Sequence, residues 1–162
     1  MKKMINKEEY KSSFEDEVDW KIIEQLHSAT ARFSSASTEL KKMCLILIGI
    51  SIPAIIKLSN NSLDFSLFVT LYILTFTFWY LDSYTYFHQE NLREKMDERF
   101  KKLKERNTIS NENFDSEEFT LEDNRTKIDR WKRALKNPSV RMYHVFIGLN
   151  TFTLILFLFK VI

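Results

Sequence analysis

The chain has 162 residues, of which 44% are hydrophobic and 28% are charged, and its 24 basic side chains nearly balance 22 acidic ones. These averages are typical of a soluble domain, but the apolar residues are concentrated in three blocks without acidic side chains, 43–58, 65–81 and 142–159. Because such blocks indicate membrane spans, and two Gly and two Pro are too few for the turns of a multi-stranded sheet, we predict an all-α membrane protein. It should have three transmembrane helices with long cytoplasmic helical extensions. A single cysteine excludes a disulfide framework or a cysteine metal cluster within one chain.

The first segment, residues 1–42, predicts a cytoplasmic amphipathic helix. Apolar residues recur there at steps of three or four from Tyr10 to Leu40, which forms one stripe along a helix. Ser, Ala and Thr are dense between residues 27 and 38, and small residues allow helices to approach closely. We expect a second helix to pack there against Ala36, either from the same chain or from another subunit.

Residues 43–81 predict a two-span transmembrane hairpin. A span needs about 20 apolar residues, whereas the uncharged run at 43–56 has 14. That run is therefore also compatible with an interfacial helix. We favour a span because Lys57 can extend outward to the headgroups and the short polar connection at 59–62 requires a hairpin partner. A signal peptide is not expected, since 42 residues, many of them acidic, precede the run.

Residues 82–141 predict a cytoplasmic helical hairpin. The helix of the second span should continue to Arg106, because no Gly or Pro follows Leu81 until Pro138. An acidic loop is predicted at 107–120, where four acidic residues occur without a basic one, and a return helix follows it. Residues 142–162 then form the third transmembrane helix.

The distribution of Lys and Arg predicts the orientation. Residues 1–42 carry eight basic side chains and residues 83–141 carry fourteen, whereas the first hairpin and the C-terminus each offer one, Lys57 and Lys160. Basic residues accumulate on the cytoplasmic side of membrane proteins. The N-terminus should therefore be cytoplasmic and the C-terminus outside.

No motif for enzymatic chemistry is present in the sequence. It contains neither a glycine-rich phosphate loop nor an HExxH motif, and its three histidines, His27, His88 and His144, are far apart. We expect no catalytic residue, no cofactor and no metal site. Direct nucleic-acid binding is not expected either, because acidic residues nearly match the basic ones in the central segment.

One polar stripe stands out where the second span leaves the membrane. Its members follow each other at steps of three and four and so share one helix face: Trp79, Asp82, Tyr86, Glu90 and Arg93. An Asp at the end of a span is costly unless it is paired or faces water, so the stripe indicates a role in assembly or gating. The alternative is a solvated Asp with ordinary surface ion pairs.

The predicted topology brings three cationic groups to the inner headgroup plane beside Asp82. They are Lys42 at the start of the first span, and Arg141 and His144 at the start of the third. We expect Asp82 to bond to Lys42 or Arg141, or to Tyr86 on its own helix.

The polar stripe on a helix leaving the membrane, preceded by a Ser/Ala-rich helix and a short two-span hairpin, resembles the SLATT family over roughly residues 20 to 106. These are small multi-span membrane effectors of bacterial antiphage defence systems. The resemblance implies a homo-oligomer in the bacterial inner (plasma) membrane that permeabilises or depolarises it when triggered. It also implies a cytoplasmic sensor protein or a signalling nucleotide as the trigger.

Two functions from different classes therefore remain. The first is an oligomeric effector that permeabilises the lipid bilayer, and the second is a non-enzymatic membrane anchor or accessory subunit that recruits a cytoplasmic partner. Polar residues lining the spans would favour a pore, whereas purely apolar spans would favour an anchor. An enzyme ranks third, because no site for it is visible.

Overall fold

The computed structural model describes residues 13–60, 62–108 and 130–160, and every regular element within them is helical. The all-α prediction is therefore confirmed for these residues. The elements follow in the order α1 (Phe14–Leu58), α2 (Phe65–Thr108), α3 (Arg130–Lys136), a 3₁₀ turn (Pro138–Val140) and α4 (Arg141–Leu158).

Helices α1 and α2 form a long antiparallel hairpin. They contain 45 and 44 residues, which at 1.5 Å per residue gives each a length of about 65 Å. The Ser13 hydroxyl caps the start of α1 by accepting from the backbone N–H of Asp16 at 3.2 Å. At the hairpin turn Asn60 has a φ of 56°, a left-handed conformation that Asn tolerates better than most residues. Each helix is thus continuous across the boundary between its polar half and its apolar half.

The two helices pack along a seam that repeats every seven residues, as in a coiled coil. Buried or half-buried residues mark this heptad seam on α1 at Ile23, Thr30, Ser37 and Cys44, and on α2 at Phe68, Thr75, Asp82, Gln89, Met96 and Leu103. The Gln89 side chain donates to the Thr30 carbonyl at 3.5 Å, and one heptad further along Ser37 bonds to Asp82. These contacts define the register of the hairpin.

The Ser/Ala-rich part of α1 does pack against a second helix, but not through the predicted residue. Phe33 stacks on His88 of α2 with ring centroids 5.9 Å apart. Ala36 is exposed, so the predicted close contact within the chain at Ala36 is wrong. The buried positions follow the seven-residue seam through Thr30 and Ser37, and Ala36 lies one residue, or about 100° around the helix, away from it.

The C-terminal helices pack on α2 near its middle. Trp131 of α3 stacks on Phe87 with centroids 4.8 Å apart, and Ala134 is completely buried. Val140 and Tyr143 join a small core with Cys44 and Phe78. Further along α4, Asn150 donates to the Phe68 carbonyl at 3.1 Å. Three helices therefore meet at the level of Cys44, Phe78 and Tyr143.

Two helical segments are long and apolar enough to cross a membrane, Phe65–Arg106 and Pro138–Leu158. They contain residues 65–81 and 142–158, where the second and third spans are predicted. The apolar half of α1, with its shorter uncharged run, is not among them, so the first of the three predicted spans stays a prediction. The predicted acidic loop at 107–120, apart from its first two residues, and the start of the return helix lie outside the described residues.

Candidate functional site: a buried ion pair where three helices meet

The candidate site forms where the polar and apolar halves of the hairpin join. Asp82 comes from the heptad seam of α2, Ser37 and Lys41 come from α1, and Ser139 comes from the 3₁₀ turn that precedes α4. Ser37 and Lys41 are four residues apart and so lie on the same side of α1. We refer to Ser37, Lys41, Asp82 and Ser139 as the junction cluster.

Asp82 is the most buried charge in the cluster, with 2% of its surface exposed. Its Oδ2 lies 3.2 Å from Lys41 Nζ, and its Oδ1 accepts a hydrogen bond from the Ser37 hydroxyl. Lys41 Nζ also donates to Ser37 Oγ at 2.8 Å and to Ser139 Oγ at 2.6 Å. One ammonium group therefore connects α1, α2 and the start of α4.

Two further hydroxyl groups are buried at the same level. The Ser83 hydroxyl has no hydrogen-bond partner among the described residues. The Tyr143 hydroxyl faces the Asp82 carboxylate but does not form a well-aligned hydrogen bond with it. Unsatisfied buried polar groups are costly. The three helices are therefore joined less stably at this level than they would be by a fully hydrogen-bonded network.

A buried ion pair is seldom the most stable way to fill a helix seam. Apolar residues of similar volume are often equal or better, because both charges must be removed from water. A polar residue at a core position of a coiled coil instead selects one register and one partner. The junction cluster is therefore suited to holding the hairpin in a defined register, and to releasing it if either charge is displaced.

The predicted polar stripe keeps its common helix face, but its members contact different neighbours. The Trp79 indole donates to the Leu135 carbonyl at 3.4 Å and packs edge-on against His144 at 5.8 Å. Arg93 donates to Glu90 at 3.0 Å, as their spacing predicts. Tyr86 lies between Asp82 and Glu90 in sequence and borders a cleft next to α3. The stripe thus contacts α3 and α4 through Trp79 and α1 through Asp82.

The predicted partners of Asp82 need correction. Lys42 points outward and pairs with Glu39 at 2.7 Å, with both side chains 61% exposed. His144 Nδ1 lies 3.2 Å from the Val140 carbonyl oxygen, and Arg141 is exposed and forms no ion pair with the described residues. The cation beside Asp82 is Lys41, because residue 41 and not residue 42 faces the heptad seam.

The sequence-based search missed Ser37, Lys41, Ser139 and Tyr143. A signal for the first two was present, because Thr30, Ser37 and Cys44 are spaced by seven residues and Asp82 belongs to the matching series on α2. Most residues of the series on α1 are polar or small, so a pattern of large apolar residues does not reveal it. Ser139 and Tyr143 carry no local signal, since their position depends on how α4 packs.

A second charged cluster closes the far end of the hairpin. Arg106 Nε donates to Asp16 at 3.0 Å and Arg106 also bonds to Asp19, while Arg99 donates to Asp19 at 3.0 Å. The hydrogen bond from Arg106 is the main cause that lowers the pKa of Asp19 below its ordinary value. These pairs join the polar ends of α1 and α2.

No group of three or more His, Cys, Asp or Glu side chains in the described parts of the chain is arranged to hold a metal ion. Comparisons of the chain with protein-family models, with curated proteins and with solved structures found no match.

Proposed function

We propose that this protein is a membrane-embedded effector of bacterial antiphage defence, which forms homo-oligomers and permeabilises or depolarises the inner membrane when a cytoplasmic trigger acts on it. In this proposal the apolar halves of α1 and α2 and all of α4 cross the bilayer. The N-terminus and the segment 82–141 are cytoplasmic, and the C-terminus is outside. The trigger is a sensor protein or a signalling nucleotide.

The exposed apolar surface supports three spans. In the apolar half of α1 most large side chains point away from the rest of the chain, namely Met43, Leu45, Ile46, Leu47, Ile50 and Leu58. Helix α4 exposes a similar set, Val145, Leu149, Phe152, Ile155 and Leu158. Apolar surface of this extent needs lipid or another protein to cover it. Because α1 packs antiparallel to α2, a bilayer that contains the apolar half of α2 also contains that of α1.

The observation that carries the proposal is the buried ion pair between Lys41 and Asp82. It lies where each long helix changes from polar to apolar, so it connects the polar half of the hairpin to the proposed spans. Since α1 and α2 are continuous through this level, a displacement at the cytoplasmic end is transmitted to the membrane end. A simple tether requires neither continuous helices nor a buried charge at the boundary, whereas a gated effector uses both.

The second function, a membrane anchor or accessory subunit that recruits a cytoplasmic partner, is favoured by a different observation. Most of the polar groups in the proposed spans are bonded within the chain. Asn150 donates to the Phe68 carbonyl, Tyr72 bonds to Thr151 at 2.7 Å, and the Thr153 hydroxyl donates to the Leu149 carbonyl. The first two bonds hold α4 to α2 and the third lies within α4, so these polar side chains are engaged in the helices and do not line a water-filled path.

A membrane-potential dye in cells that express the full chain distinguishes the two functions. The effector should depolarise the cells only when its trigger is active, for example when the neighbouring genes are co-expressed and the cells are infected. Lys41→Gln should alter that response at equal expression, whereas Lys42→Gln, which changes an exposed pair one residue away, should leave it unchanged. An unchanged potential under every condition, together with retention of a cytoplasmic protein at the membrane, would establish the anchor instead.

A further inference from the structure

A basic cleft lies between α2 and α3, outside the junction cluster. It has a volume of about 350 Å³. The described residues that line it include three basic side chains and no acidic one, namely Tyr86, Lys132, Arg133, Lys136, Asn137 and Pro138. A concave surface of this charge favours an anionic ligand.

Arg133 is incompletely bonded in this cleft. Its Nε and Nη2 atoms are buried and have no hydrogen-bond partner among the described residues. The Glu90 Oε2 atom is 3.8 Å from Nη2, which is beyond hydrogen-bond distance, and Oε1 of the same carboxylate accepts from Arg93. Glu90 is therefore shared between two arginines and does not neutralise both. The Arg133 side chain is nevertheless 34% exposed, and a guanidinium group that is not fully neutralised favours the oxygen atoms of a phosphate.

The position of the cleft indicates where the ligand comes from. Pro138, on its wall, is the first residue of the segment that is apolar enough to cross a membrane. Aromatic residues surround the same level, with Tyr80 stacked on Trp131 at 6.3 Å and the Trp79 indole bonded to the Leu135 carbonyl. Trp and Tyr concentrate at membrane–water interfaces. The cleft thus lies at headgroup level if the chain is inserted as proposed above, on which this inference rests.

We propose that this cleft binds the phosphate group of an anionic phospholipid headgroup, with Arg133 and Lys136 as its main contacts. Basic pockets between helices on the cytoplasmic side are a recurrent way to hold such headgroups. The bound phosphate supplies a second anionic group beside Arg133, which Glu90 does not neutralise alone. It also anchors α3, and through it the start of α4, at a fixed depth in the inner leaflet.

The test measures lipid binding to the purified full-length protein in a neutral detergent. Phosphatidylglycerol is titrated against the unfolding temperature, with phosphatidylcholine as the uncharged reference and glycerol 3-phosphate as the soluble source of the same group. Phosphatidylglycerol alone should raise the unfolding temperature of the wild type. The double variant Arg133→Gln/Lys136→Gln should bind it about 30-fold more weakly, since each basic group near an anionic surface contributes a factor of about five.

The control is Lys101→Gln/Lys102→Gln, which removes the same charge from exposed positions on α2 and should bind as the wild type does. If the first double variant does not fold, Lys136→Gln alone, at an exposed residue, should weaken binding about fivefold. Equal loss in both double variants, or no effect of phosphatidylglycerol on the wild type, would overturn the site. An equal rise in unfolding temperature with glycerol 3-phosphate would overturn the lipid as the source of the phosphate group. None of these readouts involves membrane potential, so failure here is distinct from failure of the effector function.

Discussion

Lys41 and Asp82 lie on different helices, and their charged groups are 3.2 Å apart where the hairpin passes from its polar half to its apolar half. Ser37 bonds to both of them, so the three side chains form a closed set. Lys41 retains 21% exposure of its side chain, whereas Asp82 retains 2%. The ammonium group is therefore the member of the pair that an external partner or a change in packing reaches first.

Loss of Lys41 should destabilise the hairpin strongly. Lys41→Gln leaves the Asp82 carboxylate buried without its cation, and removing one partner of a buried ion pair costs about 3 kcal/mol. Lys42→Gln should cost less than about 1 kcal/mol, because it affects an exposed pair. Chemical unfolding of both variants in detergent measures the difference. Equal unfolding free energies for the two would contradict a structural role for the Lys41 pair.

Removal of both charges should be tolerated much better than removal of one. The double variant Lys41→Met/Asp82→Leu eliminates the desolvation cost of two charges, so its unfolding free energy should lie within about 1 kcal/mol of the wild type or above it. If the pair gates the protein, this stable variant should nevertheless fail to respond to its trigger in the membrane-potential assay. A double variant that is stable and fully responsive would restrict the pair to a structural role.

The far end of the hairpin should open at acid pH. The pKa of Asp19 is lowered by its hydrogen bond to Arg106 and by Arg99, so its stabilising contribution is complete above the unfolded value of about 4. That contribution is lost as the pH falls through the lower folded value. The protection of amide hydrogens from exchange, relative to the intrinsic rate at the same pH, should therefore fall around residues 16–23 below pH 4. Asp19→Asn should show low protection there at neutral pH as well, with little further change in protection on acidification.

Enlarging a buried alanine on α3 should weaken its packing on α2. Ala134 is completely buried, and Ala134→Leu should cost about 1 to 3 kcal/mol through overpacking. Ala36→Leu is the matched control, because Ala36 is exposed in the single chain. Unfolding temperature and mass in detergent are measured for both. A lower mass for Ala36→Leu at unchanged unfolding temperature would identify Ala36 as a subunit contact, the alternative that the sequence left open.

The bond between α4 and α2 within the apolar region should contribute modestly to stability. Asn150→Leu removes the donor to the Phe68 carbonyl, and such interhelical bonds in membranes are worth about 0.6 to 2 kcal/mol. Thr77→Val, at an exposed position of α2, should leave the unfolding free energy unchanged. Unfolding in mixed detergent micelles measures both variants. An Asn150→Leu protein as stable as wild type would show that apolar packing alone holds α4.

Local sequence patterns were sufficient for the helices and for two segments that are long and apolar enough to cross a membrane. The lack of Gly and Pro after Leu81 predicted that α2 continues far beyond its apolar half, and it extends to Thr108. The same reasoning singled out Asp82 as a charge that must be bonded, because an unpaired carboxylate at the end of a predicted span is costly. The i,i+3 pair of Glu90 and Arg93 also followed from spacing within one helix.

The amino-acid sequence by itself thus determined the helical class, the apolar segments and the residues that share a helix face, because all of these depend on neighbours within a few residues along the chain. It did not determine which cation meets Asp82. Positions 41 and 42 are both lysine. Packing along the heptad seam sets the rotation of α1 about its axis, and this rotation brings Lys41 inward. The contacts of Ser139, Tyr143 and Arg133 likewise arise when α3 and α4 fold back on α2. Contacts between distant segments depend on helix register and rotation, and these are decided by tertiary packing.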